Sequence, residues 1–374
     1  MSHYKTNLRD IEFNLFEAYR MQDYLGTGPY ADMDADTARH ILAEVERFST
    51  DVFAESFEEG DRTKIELVDG DVTLPPGIVQ AIKSYYEQGW DTLGRPPALG
   101  GVGAPPSLRW AAQELMVGAN PGAFFFVVGT LMGNVLYDAG TEEQIEQFVK
   151  PMLNNAWGST MVLTEADAGS DVGAGTTKAV AVDEEKGIYH IEGVKRFITS
   201  GEGDYTDNII HLVLARPEGA GPGTKGLSMF IVPKFMVNED GTMGERNGVV
   251  TTRIEDKMGI KASTTCELTF GADAPCVGYL VGMTHDGIRQ MFKVIEHARM
   301  LIGTKSIATL STGYLNALEF AKERVQGADL TQATDKTAPR VEVIRHPDVR
   351  RMLMLQKAHV EGMRALLYYT SWVQ

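Results

Sequence analysis

Residues 161–171, MVLTEADAGSD, place hydroxyl and carboxylate side chains directly after three apolar residues. The apolar part predicts the end of a buried strand, and the polar part predicts the loop that follows it. Thr164 and Ser170 offer hydroxyl donors, and Gly169 lets backbone N–H groups approach a ligand without a Cβ in the way. Such a loop can hold phosphate oxygens, but it can equally be a capped turn whose polar side chains satisfy its own backbone.

A second stretch of similar character, FITSG at residues 197–201, combines an aromatic residue with two hydroxyls and a glycine. Phe197 can lie against a flat ring while the Thr199 hydroxyl bonds the polar edge of that ring. By itself, the stretch is more simply a strand that enters a turn. Together, the two stretches predict a flat, phosphate-bearing cofactor.

Two glycine-rich stretches do not fit the common nucleotide-binding motifs. GAGPGTKG at residues 219–226 lacks the Gly-Lys-Ser/Thr ending of a P-loop and precedes a predicted strand, so we interpret it as a hairpin loop. GGVG at residues 100–103 is followed by two prolines, and no βαβ alternation surrounds it. A doubly wound nicotinamide enzyme is therefore not expected.

Composition limits the classes of partner. The chain has 374 residues and a formal net charge of −16, which argues against nucleic acid or an anionic membrane surface as a main partner. No apolar run reaches the roughly 20 residues of a membrane span. The two cysteines and eight histidines lack the spacing of metal ligands, so no metal site is expected. The polar start, MSHYKTNLRD, is unlike a signal peptide and favours the cytoplasm.

Hydrophobic spacing predicts an α+β chain of three domains. Residues 1–156 form an N-terminal helical domain, residues 157–284 a small β-barrel-like domain, and residues 285–374 the first part of a C-terminal helical bundle. The predicted strands lie at residues 159–163, 189–198, 208–215, 227–232 and 266–270. The last predicted helix opens at Pro347 and reaches Gln374 without a cap or polar tail, which predicts that the natural sequence continues.

The motifs resemble those of the acyl-CoA dehydrogenases, flavoenzymes that desaturate acyl-CoA thioesters. LTEADAGSDVGA (residues 163–174) is similar to the family signature, and FITSG is similar to its second flavin element, with Phe197 where many members carry Trp. EDKMGIKASTTCELTF (residues 255–270) is similar to the stretch that closes the family's β domain. The N-terminus further resembles the longer subfamily related to 3-methylmercaptopropionyl-CoA dehydrogenase and to broad-range fatty acyl-CoA dehydrogenases of actinobacteria.

The resemblance implies an FAD site on the β domain and an acyl-CoA site beside it. The flavin contacts that it implies are Met161, Leu163, Thr164, Gly169, Ser170, Phe197, Ile198 and Thr199. Arg324 matches an arginine that reaches the FAD of a neighbouring subunit, although the residues after it depart from Arg-x-x-Phe-Gly. Ser170, Glu296 and Arg299 match substrate contacts; without the resemblance, Glu296 and Arg299 would be interpreted as a solvated ion pair.

The resemblance does not identify a catalytic base within the 374 residues. The family uses a carboxylate to remove the α-proton, usually in a Tyr-Glu-Gly motif that would lie beyond Gln374. Some members place the base on the earlier helix, but that position is Ala298 here, and Glu296 lies two residues before it. Residues 86–89, YEQG, have the wrong spacing and lie in the N-terminal helical region.

The predicted function is therefore FAD-dependent dehydrogenation of a fatty acyl-CoA to the trans-2-enoyl-CoA, as in β-oxidation. The resemblance implies that electrons pass to an electron-transfer flavoprotein and that the protein is a homodimer or homotetramer. Two alternatives stay open: an acyl-CoA oxidase or other flavoenzyme on the same scaffold, and a binding protein without a base. The preferred acyl chain length is not predicted, because pocket depth depends on how several helices pack.

Overall fold

In the computed structural model, which describes residues 2–374 apart from the side chains of Thr130 and Leu131, helices occupy both ends of the chain and strands its middle. The helices are α1 (Leu8–Glu12), α2 (Ala35–Phe48), α3 (Phe57–Arg62), α4 (Pro76–Glu87), α5 (Pro106–Ala119), α6 (Pro121–Phe124), α7 (Gly129–Ala139), α8 (Glu142–Gln144), α9 (Lys150–Asn154), α10 (Gly287–Glu323) and α11 (Pro347–Trp372). The strands are β1 (Leu67–Val68), β2 (Asp71–Val72), β3 (Gly158–Val162), β4 (Lys178–Asp183), β5 (Ile188–Thr199), β6 (Ile209–Pro217), β7 (Ser228–Pro233), β8 (Phe235–Val237), β9 (Met243–Arg246), β10 (Val249–Ile254), β11 (Thr265–Phe270), β12 (Val277–Leu280), β13 (Val325–Ala328) and β14 (Arg340–Glu342). This order confirms the predicted α+β fold.

The helix starts follow local sequence signals. Asp34 caps α2 by accepting a hydrogen bond from Thr37 N at 2.7 Å. Helices α4, α5 and α11 each begin with a proline, whose missing N–H is not needed in the first turn. The sequence also predicts a helical pattern from Phe124 to Phe148, but these residues do not form one helix. The chain leaves helical geometry between Phe124 and Gly129 and again at Gly140. No helix in the described part of the chain is long and apolar enough to cross a membrane.

One compact unit consists of Met1–Glu55, Ala104–Asn120 and Arg299–Gln374. Its centre contains a buried ionic network around Arg364 of α11. Arg364 Nε and Nη2 donate to Glu114 Oε1 of α5 at 2.8 and 2.6 Å, and Nη2 also donates to Ser311 Oγ of α10 at 3.1 Å. The guanidinium also pairs with Asp10 of α1, and Tyr368 donates to Glu114 Oε2 at 2.6 Å. The network therefore joins four helices through one side chain that is 2% exposed.

We expect Arg364→Met to destabilise the intact protein strongly. The substitution leaves the buried Glu114 carboxylate without its counter-charge, and breaking a buried pair in this way costs about 3–5 kcal/mol. The thermal-unfolding midpoint should fall by at least about 5 °C. Arg351→Met is the matched control, because Arg351 forms an exposed ion pair with Asp348 that contributes less than about 1 kcal/mol. Equal midpoints for the two variants would contradict the role of the network.

The other compact unit consists of Ser56–Gly103 and Pro121–Ala298 and contains an eight-stranded sheet. Its main path runs β10-β11-β5-β12-β7-β6-β3, and β4 pairs with both β5 and β6. Strand β3 lies parallel to β6, whereas β6 and β7 are antiparallel and are joined by the loop that we interpreted as a hairpin. All strands of this sheet lie inside the predicted β region. The division into three domains remains a prediction, because each compact unit combines several segments of the chain.

Strand β6 is buried on both faces. Ile210, Leu212 and Leu214 pack into one apolar cluster, whereas Val213 and Ala215 pack into another. A strand covered on both sides is mostly apolar, and this explains the nearly continuous apolar run that predicted it. The exception is the buried His211, whose Nδ1 lies 2.7 Å from Thr160 Oγ1. The sheet thus provides a rigid support on which the ends of β3 and β5 carry the polar stretches.

Candidate cofactor site

The first polar stretch leaves β3 through a tight turn. Glu165 N donates to Ala168 O and Ala168 N donates to Glu165 O, both at 3.2 Å. Beyond the turn, Gly169 and Ser170 are exposed, and Thr164 is half-buried. A Cβ on Gly169 would meet only Thr164 Cγ2, at 3.9 Å, so the space beside the Gly169 backbone is open. The turn therefore presents an accessible backbone and hydroxyl groups.

The second polar stretch contains a β-bulge at the end of β5. Leu268 of β11 pairs with Lys195, but Cys266, two residues earlier, pairs with Ile198, so β5 carries one additional residue. Phe197 lies in this bulge with a φ of 61°. Its side chain is 52% exposed, whereas Ile198 is buried. A bulge near a binding site re-aims side chains, and here it exposes the aromatic ring.

The turn after β5 is held in a strained conformation. Ser200 has a φ of 56°, so two non-glycine residues of FITSG occupy the left-handed region. Ser200 N donates to Thr264 O at 2.7 Å, and its Oγ donates to Phe125 O at 3.1 Å. Surrounding contacts of this kind fix strained backbone, which occurs preferentially at functional sites. Nothing in the local sequence predicts a left-handed phenylalanine.

The structure brings the two polar stretches together. Thr164 O accepts a hydrogen bond from Arg196 N at 2.8 Å, and Leu163 O accepts one from Lys195 Nζ at 2.8 Å. Consecutive carbonyl groups of the first stretch are therefore bonded to consecutive residues just before the second. Leu163 and Ile198 are buried in apolar clusters, so their backbones, and not their side chains, can face a ligand. Met161 is partly buried against the same cluster as Leu163.

The Glu165 carboxylate is the most heavily bonded group of this region. Its Oε1 accepts from Thr177 N at 3.0 Å and Oγ1 at 2.7 Å, and its Oε2 accepts from Thr176 N at 2.7 Å and Oγ1 at 2.9 Å. Lys195 Nζ forms an ion pair with Oε1 at 3.0 Å. Burial by itself would raise the pKa of Glu165, but the Lys195 charge and the threonine hydrogen bonds lower that pKa to about 2. Sequence reasoning missed Lys195, which lies about 30 residues away from its partner.

The low pKa of Glu165 predicts a defined acid sensitivity. The folded pKa of about 2 lies below the ordinary value of 4.5, so the carboxylate stabilises the fold fully above pH 4.5 and progressively less as pH falls toward 2. Glu165→Gln should lower the unfolding midpoint at pH 7, because Lys195 loses its counter-charge. The variant should then lose less additional stability than the wild type between pH 4.5 and 3.

Thermal unfolding measured from pH 7 to 3 at constant ionic strength checks this expectation. Glu218→Gln is the control, because Glu218 is exposed on a loop and should leave the acid part of the profile unchanged. An acid profile of Glu165→Gln that parallels the wild-type profile would contradict the assignment.

The remaining predicted site residues lie on or next to α10. Glu296 and Arg299 are exposed on this helix, and Arg324 is exposed directly after its end. Arg324 Nη2 donates to Gln326 Oε1 at 3.4 Å, and Arg324 O accepts from Val343 N at 2.7 Å. Arg299 and Arg324 belong to the compact unit that contains the Arg364 network, which we call the helical unit. Glu296 belongs to the unit that contains the eight-stranded sheet. Their roles in binding remain predictions.

The joined stretches fit the chemistry of a flavin. The exposed Thr199 and Ser170 hydroxyls can donate to the polar edge of a ring and to phosphate oxygens. The open backbone at Gly169 permits close approach, and the exposed Phe197 ring offers an apolar surface to a flat ring.

Family profiles match two successive parts of the chain. The profile for the acyl-CoA dehydrogenase N-terminal domain matches residues 35–156, and the profile for the acyl-CoA dehydrogenase middle domain matches residues 160–272. The second match includes both polar stretches and the sheet that joins them. The chain belongs to the acyl-CoA dehydrogenase family. The predicted resemblance is therefore confirmed.

Curated relatives are longer than this chain. The broad-specificity linear acyl-CoA dehydrogenase FadE5 of Mycobacterium tuberculosis is 56% identical over 379 residues, covering 100% of this chain and 62% of that protein. The 3-methylmercaptopropionyl-CoA dehydrogenase of Ruegeria pomeroyi is 34% identical over 372 residues, covering 98% of this chain and 61% of that protein. The chain thus spans about three fifths of the length of these two relatives.

A solved structure supports the fold of this acyl-CoA dehydrogenase family member. An acyl-CoA dehydrogenase complexed with FAD from Bacillus anthracis matches with a TM-score of 0.69 and 22% identity. The match covers 91% of this chain and 52% of that chain. At this level of identity, the comparison concerns the fold alone.

Proposed function

We propose that the protein is an FAD-dependent acyl-CoA dehydrogenase that oxidises a fatty acyl-CoA to the trans-2-enoyl-CoA. The observation that carries this proposal is the junction of the two polar stretches, at Thr164 O and Arg196 N, in a chain of this family. The name of the mycobacterial relative, a broad-specificity linear acyl-CoA dehydrogenase, supports a straight-chain fatty acyl substrate. The electrons would pass to an electron-transfer flavoprotein.

The residues of this chain would bind and orient the cofactor. FAD, when bound, supplies the hydride acceptor. Thr164 and Thr199 would hold the polar edge of its ring system, Phe197 would cover the ring, and the Gly169–Ser170 backbone would donate to phosphate oxygens. The backbones of Met161, Leu163 and Ile198 would complete the cradle.

The substrate would lie beside the flavin, with Ser170 next to the CoA moiety and with Glu296 and Arg299 contacting the substrate from α10. Hydrogen bonds to the thioester oxygen would stabilise the enolate charge that develops when the α-proton leaves. We assign no catalytic base among residues 1–374.

Further parts of the proposal concern the assembly and its location. Arg324 would reach the FAD of a neighbouring subunit, which requires a homodimer or homotetramer. A cytoplasmic location is part of the proposal, and it is supported by the two cysteines, Cys266 and Cys276, which are both free thiols. No nucleic acid or metal is included in the proposed function.

We expect Ser170→Arg and Thr199→Val to reduce flavin binding in the intact protein. The arginine places a bulky side chain where CoA and phosphate groups would lie, and it should weaken FAD binding about tenfold or more. The valine removes one hydroxyl hydrogen bond, which contributes about 0.5–1.5 kcal/mol, so a loss of about 2- to 13-fold is expected. Flavin content after purification and FAD titration of the apoprotein measure both effects.

Thr252→Val is the matched control, because Thr252 is an exposed threonine on β10 outside both polar stretches. It should retain flavin like the wild type. If the flavin content is unchanged in both Ser170→Arg and Thr199→Val, the proposed cofactor site is wrong. Anaerobic addition of a fatty acyl-CoA should bleach the flavin of the wild type, whereas rapid peroxide formation in air would favour an oxidase instead.

A further inference from the structure

Three segments of the chain converge on one buried ion pair, Glu165–Lys195. Residues 163–165 supply the carboxylate and the Leu163 carbonyl, residues 176–177 supply four donors to that carboxylate, and β5 supplies the ammonium. The Lys195 side chain is 2% exposed and that of Glu165 is 9% exposed. Neither group can therefore contact a ligand extensively itself.

The Glu165 carboxylate closes the loop that carries Gly169 and Ser170. Glu165 lies directly before residues 166–175, and Thr176, which donates to its carboxylate, lies directly after them. A Cβ at Gly175 would meet Glu165 Oε1 at 3.1 Å, so a glycine there permits the close approach. Fixing both ends of a loop lowers the entropy that it would otherwise lose on binding a ligand. The loop is therefore closed at both ends by a carboxylate whose side chain is only 9% exposed.

Lys195 extends this closure to the second polar stretch. Its ammonium bonds Leu163 O, and the backbone N–H of the next residue, Arg196, bonds Thr164 O. The orientation of Thr164 relative to the bulge at Phe197 therefore depends on these two adjacent contacts. Loss of the ammonium would leave the Leu163 carbonyl and the Glu165 carboxylate without a shared donor.

We propose that the Glu165–Lys195 ion pair positions the two cofactor-binding stretches relative to each other, so that its loss weakens FAD binding by more than the loss of stability explains. This inference rests on the proposed function. The simpler interpretation is an ion pair that stabilises the sheet and nothing else. The two interpretations can be separated by breaking another buried ion pair of the same unit. If Glu165–Lys195 only stabilises the sheet, breaking either pair should weaken FAD binding equally; if it positions the two stretches, breaking the other pair should leave FAD binding almost unchanged.

Arg95 offers that comparison. Its guanidinium pairs with Asp91, with side chains that are 9% and 6% exposed, and Nη2 also donates to Leu153 O at 3.3 Å. The pair thus resembles Glu165–Lys195 in burial and in its bond to a backbone carbonyl. Among the described residues, the side-chain hydrogen bonds of Arg95 go to Asp91 and Leu153, and neither residue belongs to a polar stretch.

The test uses the intact protein and compares Lys195→Met with Arg95→Met. For the apoprotein of each variant, we would measure the unfolding midpoint and the FAD dissociation constant by flavin fluorescence. After FAD has been added, we would record the visible circular dichroism of the bound flavin. Lys195→Met should raise the dissociation constant about tenfold or more and alter the dichroism bands. Arg95→Met should lower the midpoint comparably and change the dissociation constant less than about twofold, with wild-type dichroism.

Two additional variants examine the pair as a unit. Combining Glu165→Gln with Lys195→Met should weaken FAD binding no more than the stronger single substitution, because residues that act together are not additive. Thr177→Val removes one hydroxyl donor but keeps the backbone N–H, so it should raise the dissociation constant about threefold. If Lys195→Met does not fold, Thr177→Val decides, and wild-type values for this variant overturn the proposal.

The outcomes separate the inference from the proposed function. A wild-type protein that binds no FAD overturns both. A wild type that binds FAD, together with a Lys195→Met variant that binds it equally well, overturns the inference alone. Equal increases in the dissociation constant for Lys195→Met and Arg95→Met, at equal loss of stability, also overturn it.

Discussion

The buried carboxylate of Glu165 is the constraint on which the candidate site depends. A carboxylate that is buried loses its hydrogen bonds to water, and protein donors must replace them. For Glu165, the replacements are hydrogen bonds from Thr176 and Thr177 and the ion pair with Lys195. All these donors lie on other segments of the chain. The carboxylate can therefore be satisfied only when the three segments have their native arrangement. The same rule holds in the helical unit, where Glu114 collects donors from two residues of α11.

This constraint explains why strained backbone can persist at the end of β5. Left-handed geometry costs a non-glycine residue of order 1–3 kcal/mol, and both Phe197 and Ser200 adopt it. Lys195 fixes the strand just before the bulge, and the bond from Ser200 N to Thr264 O fixes the turn just after it. Between these two fixed points, the extra residue of the bulge exposes the Phe197 ring. Phe197 thus carries its strain at an exposed position, whereas Ser200 is buried and is held by its hydrogen bonds to Thr264 O and Phe125 O.

Much of the fold could be predicted because burial and sequence pattern agree. Strand β7 was predicted within one residue at each end, since all six of its residues are buried and apolar or small. Strand β10 was missed because two threonines and an arginine separate its apolar residues. Strand β4 was missed because its apolar run, residues 179–182, is only four residues long and contains two alanines, which favour strands weakly. The break between α6 and α7 was missed for the opposite reason: the apolar residues there are buried without being helical.

The candidate site was predictable only in part. Hydroxyls and a glycine after a strand are visible in the sequence, and so Thr164, Ser170 and Thr199 could be named. The partner of Glu165 could not, because its identity follows from the pairing of β5 with β11 and from the position of β5 beside the end of β3, both of which join distant residues. A one-residue bulge is likewise a property of strand register and not of either strand alone.

Buried and accessible residues alternate in the two polar stretches, and the two kinds of position have different physical roles. Leu163 and Ile198 are buried in the apolar clusters of the sheet, while their neighbours Thr164 and Thr199 are at least partly accessible. Substitutions at the first two positions would change packing and move the backbone, whereas substitutions at the other two would change only the groups offered to a ligand. The Glu165–Lys195 ion pair is harder to recognise from the sequence, because Lys195 bonds the backbone carbonyl of Leu163 and does not itself face a ligand.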